Sequence, residues 1–411
     1  MSRFNLDDLR LDPLLRRVWR SLGRPAGCRV VGGYVRDRLL GRDTHDLDLA
    51  LDGTADDAAS PVRRLAADLG ARAHLLGTLP HRVWRIEGPD LQVELWSLDT
   101  LSPAEDLLRR DFTCNALGWE LPDGPLVDLT GGLEDLRARR LRAISRANLV
   151  DDPVRLLRAP RFLAQLPDFE LGEPTLSWLR ELGPRLGTAP RERVGQELLA
   201  IVRGPAASRG IAVSLELGLF GYAAPDLHRV DRRWLEDHLG ALDILNARKT
   251  PPGTPAGQTA DTARLALLTR SWGVVDDDLL APYAWPRPLR RRAVRAAALL
   301  EEARDAVNLP AADRRELAWR AGAAFPALLV LAAASDPRRR GWQRWQRQWR
   351  RSPESLLHPR PVLSGDEIAE LTGAPSGPEL GAVIDAFLRA QVRGAFRSRQ
   401  GARTWLRRQT G

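Results

Sequence analysis

Near the amino end, a pair of glycines followed by an arginine forms a segment that could hold phosphate groups. Residues 30–37 read Val-Val-Gly-Gly-Tyr-Val-Arg-Asp, an apolar run that breaks at Gly32 and Gly33 and continues as the start of a helix. Glycine lets the backbone turn tightly and approach a ligand, and the N–H groups at the start of a helix can face phosphate oxygens. Arg36, one helical turn later, can add a planar cation to the same phosphates. The segment therefore predicts a phosphate-binding turn.

The next segment carries two carboxylates at the spacing of a β-strand. Residues 45–49 read His-Asp-Leu-Asp-Leu, and because side chains alternate across a strand, Asp46 and Asp48 share one face while the leucines point into a core. Two acids on a rigid strand beside a phosphate-binding turn are what divalent-metal phosphoryl transfer requires. Either motif alone is usually structural, but their adjacency in this order is far more specific. Glu94, on a later strand, is either a third metal-site carboxylate or an exposed strand residue.

The elements that must position these residues form a small α/β region. From residue 28 to about residue 128, short β-rich runs alternate with helical patterns. Residues 83–86 and 91–96 predict paired strands joined by a turn at 87–90, and residues 126–129 predict another strand that ends at a Gly-Gly pair. This pattern is typical of a small mixed sheet with helices.

The remainder of the chain shows a helical pattern almost to its end. After Leu133, Leu and Ala recur at helical spacing, with breaks at Pro and Gly. Residues 249–257 are rich in Pro and Gly and predict an exposed loop within this helical part. The sequence therefore predicts an α+β protein, with an α/β head on an elongated all-helical remainder.

The composition predicts a soluble globular protein of a reducing compartment. The chain has 411 residues, of which 44% are hydrophobic and 28% charged. No stretch is judged long and apolar enough to span a membrane, and residues 1–5 open no signal peptide. Cys28 and Cys114 are the only cysteines, so no disulfide framework or Cys-based zinc site is implied and a cytoplasmic location is expected. Each cysteine is expected to be a small buried hydrophobe.

The charge favours a polyanionic partner. The net charge is +9 at pH 7 and the pI is near 10.7. Nearly all basic residues are arginines, since Lys249 is the only lysine, and part of this bias can come from genomic base composition. Arginine suits bidentate phosphate contacts and stacking on bases. The charge is compatible with nucleic-acid binding without proving it.

The Gly-Gly turn followed by the Asp-x-Asp strand resembles the signature of the polymerase-beta-type nucleotidyltransferases, in particular the class II tRNA nucleotidyltransferase and bacterial poly(A) polymerase family. The resemblance implies a nucleotidyltransferase head with a small mixed β-sheet and helices, followed by an elongated all-α neck, body and tail. It implies a head at residues 1–138, a neck that recognises the nucleotide base at 139–205, a helical body at 206–355 and a helical, tRNA-binding tail at 356–411.

A second motif, at residues 109–116, reads Arg-Arg-Asp-Phe-Thr-Cys-Asn-Ala. Taken by itself, it is a basic-acidic turn before an apolar strand, for which a structural salt bridge is the default interpretation. It closely resembles the family's Arg-Arg-Asp-Phe-Thr-x-Asn-Ala element, which contacts the ribose and triphosphate. The resemblance implies that Arg110 binds the nucleotide and that Asp111 accepts the proton of the ribose 2′-hydroxyl, which would favour ribonucleotides.

A third motif, at residues 151–162, places Asp152 and Arg155 three residues apart on one face of a helix that an Asp caps and Pro153 begins. Without context, an ordinary ion pair is the simpler interpretation. The segment resembles the family's Glu-Asp-x-x-Arg protein template, with Asp151 where Glu is usual. The resemblance implies that Asp152 and Arg155 read the edge of the nucleotide base.

The chemistry of an Asp-Arg pair suits two of the four bases. A carboxylate accepts from the exocyclic amino group of cytosine or adenine, while a guanidinium donates to the neighbouring ring nitrogen. Uracil and guanine present a carbonyl and an N–H at these places, so both contacts become repulsive. The resemblance further implies that Arg158 and Arg161 hold the triphosphate, although Pro160 is expected to kink the helix and disturb Arg161.

The distal segments extend the resemblance. Residues 362–367 and 373–381 resemble the tail of tRNA nucleotidyltransferases, and residues 191–198 resemble the family's neck motif, which we interpret as structural. Residues 265–270 lie where some relatives carry a His-Asp metal pair. None is present here, so no phosphohydrolase site is predicted.

A basic, Trp-rich segment at residues 338–351 is a second candidate site for nucleic acid. Trp342, Trp345 and Trp349 recur at helical spacing, which predicts a packed Trp stripe with a solvated basic face. That face is a candidate for the tRNA phosphate backbone. Its arginines are Arg344, Arg347 and Arg351.

The head lacks a segment that full CCA-adding enzymes of this class carry. In those enzymes, a mobile loop before the Arg-Arg-Asp-Phe-Thr motif is linked to switching the template from CTP to ATP. Here residues 95–106 run almost directly into Arg109. The loop and its Arg are absent, which is typical of enzymes that add only CC.

The sequence and the resemblance together predict a tRNA nucleotidyltransferase that adds CC from CTP and releases pyrophosphate, with two Mg²⁺ ions held by Asp46 and Asp48. The alternatives are a full CCA-adding enzyme, an A-adding enzyme or poly(A) polymerase, and an inactive RNA-binding protein. The expected partners are tRNA and CTP, with ATP as a second candidate nucleotide and no membrane. A separate A-adding enzyme is a candidate successor in the reaction sequence.

Overall fold

The chain forms two compact units. The computed structural model describes residues 6–77, 82–88, 91–99, 101–225, 230–247, 255–338, 341, 342, 345 and 359–410. The two units are Met1–Ala189 and Pro190–Gly411. The predicted neck at 139–205 therefore has residues in both units, and the finer division into head, neck, body and tail stays a prediction.

The first unit is built on a mixed β-sheet, as predicted. Its strands are β1 (Cys28–Val31), β2 (Asp46–Leu51), β3 (Arg72–Leu76), β4 (Val83–Glu87), β5 (Gln92–Ser97), β6 (Leu117–Glu120) and β7 (Leu126–Asp128). They lie in the order β3-β4-β5-β2-β1-β6-β7, with β2 parallel to β5 and the other neighbours antiparallel. The paired strands β4 and β5 confirm the predicted hairpin, although residues 89 and 90 of its turn lie outside the described residues. A second sheet pairs β8 (Arg140–Leu141) with β9 (Glu170–Leu171).

Strand β2 is central in the sheet, and this fixes the direction of its side chains. It pairs with β1 on one side and with β5 on the other. Leu47, Leu49 and Leu51 are buried, which confirms the alternation that the sequence predicted. Because successive side chains point to opposite faces, Asp46 and Asp48 share the other face.

Nine described α-helices accompany these sheets in the first unit. They are α1 (Asp7–Arg10), α2 (Pro13–Ser21), α3 (Gly33–Leu39), α4 (Ala55–Asp68), α5 (Pro103–Leu108), α6 (Gly132–Arg137), α7 (Arg146–Asp151), α8 (Arg155–Gln165) and α9 (Thr175–Leu182). Capping boxes begin α4 at Thr54 and α5 at Ser102, and the Ser145 side chain caps α7. These caps satisfy N–H groups that the first helical turn leaves without partners.

The described part of the second unit is helical, as predicted. Its α-helices are α10 (Arg191–Arg203), α11 (Ala207–Glu216), α12 (Leu219–Ala223), α13 (Arg232–Ala247), α14 (Pro255–Ser271), α15 (Arg287–Ala298), α16 (Leu300–Asp305), α17 (Ala311–Ala321), α18 (Phe325–Ser335), α19 (Gly365–Thr372), α20 (Pro378–Arg393) and α21 (Arg399–Thr410). The predicted loop at 249–257 is wrong at its end, because α14 begins at Pro255. Proline lacks a donor that the first helical turn does not need. Residues 249–254 lie outside the described residues.

The last three helices share a small core of their own. Leu363, Phe387 and Leu406 are buried within it, and Phe396 packs on Phe387 with ring centroids 4.8 Å apart. Arg315 of α17 donates to the carbonyl oxygens at the end of α20. This cation at a helix carboxyl end satisfies acceptors that the last turn leaves open.

One helical stretch is longer and more apolar than we predicted from the sequence, which was judged to hold no segment long and apolar enough to span a membrane. By length and composition alone, Ala311–Ser335 could cross a membrane, and 61% of its most apolar window is buried inside the protein. The stretch turns at Gly322, which has φ +54°, and Leu328 and Leu331 of α18 are fully buried. Such burial is typical of a core helix.

Both cysteines are free and buried, in agreement with their predicted role as small hydrophobes. Burial raises the pKa of each thiol to about 12. Both thiols are therefore expected to be protonated at neutral pH, which disfavours a nucleophilic role.

Candidate active site

The Gly-Gly turn joins β1 to α3 in a conformation that only glycine adopts readily. Gly32 has φ +73° and ψ −130°, and its N–H donates to the carbonyl of Leu117. A Cβ at this position would lie 2.8 Å from Arg110 Nη1 and 3.3 Å from Asp48 Oδ2. The missing side chain therefore allows a predicted nucleotide-binding arginine and a predicted metal-binding carboxylate to approach the same turn. Gly33 begins α3.

The predicted carboxylates lie together on the sheet. Asp46 is exposed and Asp48 half-buried, and Glu94 of β5 is in direct register with Asp48. Burial raises the pKa of Asp48 to about 6, opposed by Arg110 and reinforced by the negative charges of Glu94 and Asp46. A cluster of acids whose charges oppose one another suits a divalent cation, which would relieve that repulsion.

Glu94 is neither free nor simply exposed. Its Oε1 accepts a hydrogen bond of 3.0 Å from Arg85 Nε on the neighbouring strand β4, and the two residues are cross-strand partners. The side chain is about one third exposed. Its role as a third metal ligand stays a prediction, and the structure adds that Arg85 holds one of its oxygens.

Arg36 is buried and its guanidinium is engaged by neighbouring side chains. It donates to both carboxylate oxygens of Asp37, at 3.0 and 2.7 Å, and to Asn115 Oδ1 at 2.7 Å. The residue is 8% exposed. These contacts tie α3 to the Arg-Arg-Asp motif, whereas the predicted contact of Arg36 with phosphate remains a prediction.

Asp111 is the most elaborately held carboxylate of the site. It is 3% exposed, and its Oδ1 accepts from the Phe112 N–H at 2.7 Å and from Asn115 Nδ2 at 3.2 Å. Arg158 Nε lies 3.0 Å from Oδ2. Burial opposes ionisation, but Arg158, these hydrogen bonds and Arg161 outweigh it and lower the pKa of Asp111. The group is therefore an ionised acceptor at neutral pH, as the predicted ribose contact requires.

Arg110 is held in place by two residues of the short segment before it. Its Nη2 donates to Asp106 Oδ2 at 3.0 Å, and its guanidinium lies 5.3 Å from the ring centroid of Trp96. Trp96 Nε1 in turn donates to Asp106 Oδ1 at 3.2 Å. The three side chains brace one another, which reduces the number of rotamers that Arg110 can adopt.

The predicted template residues lie at the start of α8. The helix begins at Arg155, two residues later than Pro153, because Asp152 has an extended backbone and its carboxylate accepts from the Val154 N–H at 3.3 Å. Arg155 Nε lies 3.7 Å from Asp152 Oδ2. The two side chains thus form the ion pair that the sequence allowed, but their charged atoms are farther apart than in a hydrogen bond. Burial lowers the pKa of Arg155, and the nearby Asp111 and Asp152 offset this only in part.

The helix that carries the template residues continues past Pro160, and the kink expected there stays a prediction. α8 continues from Arg155 to Gln165 with Pro160 inside it. The guanidinium of Arg161 lies 4.6 Å from the ring centroid of Phe162, and its positive charge helps to lower the pKa of Asp111. Arg161 therefore belongs to the same cluster as Arg158 despite the proline.

Three residues of this cluster carry roles that the sequence reading did not assign. Phe162 is 2% exposed, and the guanidinium groups of Arg36, Arg158 and Arg161 all lie within 6 Å of its ring centroid. Asn115 bridges Arg36 to the second motif, and Asn148 bridges that motif to α8. Asn115 lies inside a quoted motif, but Asn148 resembles an ordinary helix-capping neighbour, and nothing in its spacing indicates more.

The second candidate site for nucleic acid and a cluster of three carboxylates are separate from these motifs in the sequence. Arg344, Arg347 and Arg351, the candidate tRNA contacts, lie outside the described residues, whereas Trp342 and Trp345 of the predicted stripe are buried and stacked. The carboxylates of residues 276–278 lie close enough together to hold a metal ion. They are explained locally, since Asp276 caps the following 3₁₀ turn and Asp277 faces two arginines of α15.

Comparison with known proteins identifies the family. The poly A polymerase head domain matches residues 28–142, and the segment described as a probable RNA and SrmB-binding site of polymerase A matches residues 168–230. An A-adding tRNA nucleotidyltransferase of Deinococcus radiodurans is 32% identical over 93% of this chain and 96% of its own length. The chain belongs to the tRNA nucleotidyltransferase family.

Two further similar proteins have other nucleotide-adding activities, and the solved structure of one of them confirms the fold. A CC-adding tRNA nucleotidyltransferase of Thermus thermophilus is 30% identical over 93% of both chains. The crystal structure of the Bacillus stearothermophilus CCA-adding enzyme in complex with CTP is 24% identical, covers 97% of both chains and superposes with a TM-score of 0.72. The predicted α+β fold of this tRNA nucleotidyltransferase, a mixed sheet with helices followed by a mainly helical part, is thereby confirmed.

Replacing Gly32 by Ala is expected to slow nucleotide incorporation about tenfold or more. The new side chain would be strained at this φ, at a cost of about 1–3 kcal/mol, and would push apart Arg110 and Asp48. The matched control is Gly41→Ala, since Gly41 has φ +67° and no atom within 4 Å of a built Cβ. Gly41→Ala should lose stability and retain the wild-type rate. Full activity of Gly32→Ala would show that the site does not need the missing Cβ.

Proposed function

We propose that this tRNA nucleotidyltransferase adds two CMP residues to the tRNA 3′ end from CTP, releases pyrophosphate, and stops before the terminal A. The observation that carries the proposal is the short connection between β5 and the Arg-Arg-Asp motif. Residues 98–102 lead from β5 to α5, and α5 leads into Arg109. A mobile segment that changes the template geometry from one suited to a pyrimidine to one suited to a purine would have to be longer than this connection.

The described residues of that connection are anchored at both ends. Leu98 is buried and donates its N–H to the carbonyl of Leu51. Ser102 and Glu105 form the capping box of α5. Asp106 of α5 then holds Arg110. A connection that is anchored at both described ends supports a single template geometry, because Asp152 and Arg155 can present good geometry to one size of base at a time.

The nucleotide is proposed to lie between the Gly-Gly turn and α8. Asp111, ionised and buried, accepts a hydrogen bond from the ribose 2′-hydroxyl. Arg110, Arg158 and Arg161 supply positive charge for the triphosphate. Asp152 and Arg155 read the Watson–Crick edge of cytosine. Each role follows from the donor or acceptor that the side chain offers.

The donor set fits a divalent metal. Asp46 and Asp48 would hold Mg²⁺ ions, because hard oxygen ligands on one strand face suit this cation. Burial, with a smaller contribution from the negative charges of Glu94 and Asp46, raises the pKa of Asp48, and a bound cation would offset both effects. Bound Mg²⁺ would supply positive charge to the α-phosphate and to the departing pyrophosphate, and would activate the 3′-hydroxyl. The chain's own residues orient the nucleotide for in-line attack.

The A-adding activity is the second candidate, favoured by the Deinococcus radiodurans relative that matches nearly the whole chain. An Asp-Arg pair can accept adenine as well as cytosine. A full CCA-adding activity remains the third. The three activities differ in which tRNA end they extend and with which nucleotide.

The deciding experiment incubates tRNA transcripts that lack the CCA end, or end in C or CC, with CTP, ATP or both. We expect the first two substrates to gain two and one C, respectively, and then to stop. The CC-ending tRNA should barely use ATP. Gel electrophoresis at single-nucleotide resolution measures each product.

The same assay separates the alternatives. Efficient A addition to CC-ending tRNA without any C addition would establish an A-adding enzyme, and both additions would establish a CCA-adding enzyme. A preparation of the Asp48→Asn variant, purified identically, controls for contaminating host enzyme. Absence of any Mg²⁺-dependent pyrophosphate release from the wild type would leave an RNA-binding protein.

A further inference from the structure

Asn148 connects the Arg-Arg-Asp motif to the segment that carries the template pair. It lies in α7 and is 9% exposed. Its side-chain Nδ2 donates to the carbonyl oxygens of Leu108 and Arg110, both at 2.7 Å. Leu108 lies three residues before Asp111, and Arg110 directly precedes it. One carboxamide therefore uses one donor on the backbone of the predicted nucleotide-binding motif and the other on the residue directly before that motif.

The orientation of this carboxamide is determined by its partners. Ser145 Oγ donates to Asn148 Oδ1 at 2.9 Å, and two carbonyl oxygens face Nδ2. Exchanging the amide oxygen and nitrogen would place an oxygen against two carbonyl oxygens. The arrangement also cannot be carried out by a carboxylate, which has no donor.

The backbone of the same residue holds Arg155. The carbonyl oxygen of Asn148 accepts from Arg155 Nη1 at 3.1 Å. The other described polar contact of this guanidinium is the long ion pair to Asp152 at 3.7 Å. Arg155 Nε is buried without a hydrogen-bond acceptor in the described part of the chain. The Asn148 carbonyl is therefore the closest described hydrogen-bond acceptor that positions this arginine.

We infer that Asn148 is a positioning residue that sets the distance between the base-reading Arg155 and the ribose- and phosphate-binding Arg-Arg-Asp motif, and thereby contributes to nucleotide selectivity. The inference rests on the proposed function, since it assumes that Arg155 reads the base. Asn148 itself need not touch the nucleotide.

Simple helix capping does not account for these contacts. The cap of α7 is Ser145, whose Oγ accepts from the Asn148 N–H at 3.1 Å. The side-chain Nδ2 of Asn148 instead donates two hydrogen bonds outside α7, to backbone carbonyls of a segment about 40 residues earlier in the chain. A displaced α7 would move the Asn148 carbonyl, and Arg155 with it, relative to Arg110.

The test compares Asn148→Ala with the wild type for CTP and UTP on tRNA that lacks its CCA end. We expect the preference for CTP over UTP, as the ratio of kcat/KM values, to fall about ten- to a hundredfold, because a small misplacement of a reading group has effects of this size. The KM for tRNA should stay unchanged. Asn148→Ser, which keeps one donor in a smaller side chain, should show an intermediate preference and serves if the Ala variant fails to fold.

Asn246→Ala is the matched control. Asn246 also donates from one carboxamide to two backbone carbonyl oxygens, those of Val202 and Gly204, but it lies in the second unit. It should lose comparable thermal stability and keep the CTP preference. A folded Asn148 variant with the wild-type preference would overturn the positioning role. Equal use of CTP and UTP by the wild type would instead overturn the proposed function, and the inference with it.

Discussion

Replacing Asp48 by Asn is expected to lower the rate of CMP incorporation by about a thousandfold or more while leaving the fold intact. Metal-assisted stabilisation of charge in the transition state is worth several kcal/mol, which corresponds to such a factor. The amide keeps the shape of the side chain but loses the negative charge that a divalent cation requires. Single-turnover incorporation of labelled CMP measures the effect.

The stability of the Asp48→Asn variant separates a catalytic role from a structural one. The folded protein raises the pKa of Asp48 to about 6, so it favours the neutral carboxyl more than the unfolded chain does. In the absence of metal at pH 7, the ionised carboxylate therefore lowers stability, and the neutral amide should unfold at the same or a higher temperature. Metal added to the wild type should remove this difference.

Asp46→Asn should behave as Asp48→Asn does, and Asp52→Asn provides the control. Asp52 follows the same strand, and its carboxylate pairs with Arg29 on the neighbouring β1, away from the predicted metal ligands. Its replacement should leave incorporation within a few-fold of the wild type. Retained incorporation by folded Asp46 or Asp48 variants would remove these carboxylates from the mechanism.

Replacing Asp152 or Arg155 by Ala is expected to remove most of the discrimination against UTP and GTP as well as part of the rate. Each base-edge contact of this kind is worth roughly 1–3 kcal/mol of selectivity, which corresponds to about 5- to 150-fold. The effects should not add in the double variant, because both side chains read the same base. Ratios of kcat/KM for the four nucleotides measure the loss.

The control for this prediction is an ion pair formed by residues outside the predicted nucleotide-binding set. Arg146 of α7 pairs with Glu181 of α9, and both side chains are about half exposed. Arg146→Ala should change neither rate nor selectivity, since exposed pairs contribute little. If Asp152→Ala and Arg155→Ala lower the rate equally for every nucleotide, the two residues form a plain structural ion pair.

The elements that carry the site were predictable from short stretches of sequence. The alternation of Asp and Leu in β2, the hairpin of β4 and β5, and the turn at Gly32 each follow from local rules on side-chain direction and backbone conformation. The buried Leu47 and Leu49 and the positive φ of Gly32 bear those rules out. The start of α8 was less predictable, because the Asp152 side chain competes for the backbone N–H of Val154.

The sequence by itself determined which chemical groups are available, namely the carboxylates, the glycine turn and the arginines. It also indicated the family that combines them. Only the tertiary structure decided which of these groups lie close together. The register of β2 and β5 brings Glu94 beside Asp48. The guanidinium groups of three arginines lie close to the ring of Phe162. Asn148 ties Arg110 to Arg155 through backbone carbonyls. Every residue has a backbone carbonyl, so no pattern of residue types can mark the ones that a distant side chain will bind.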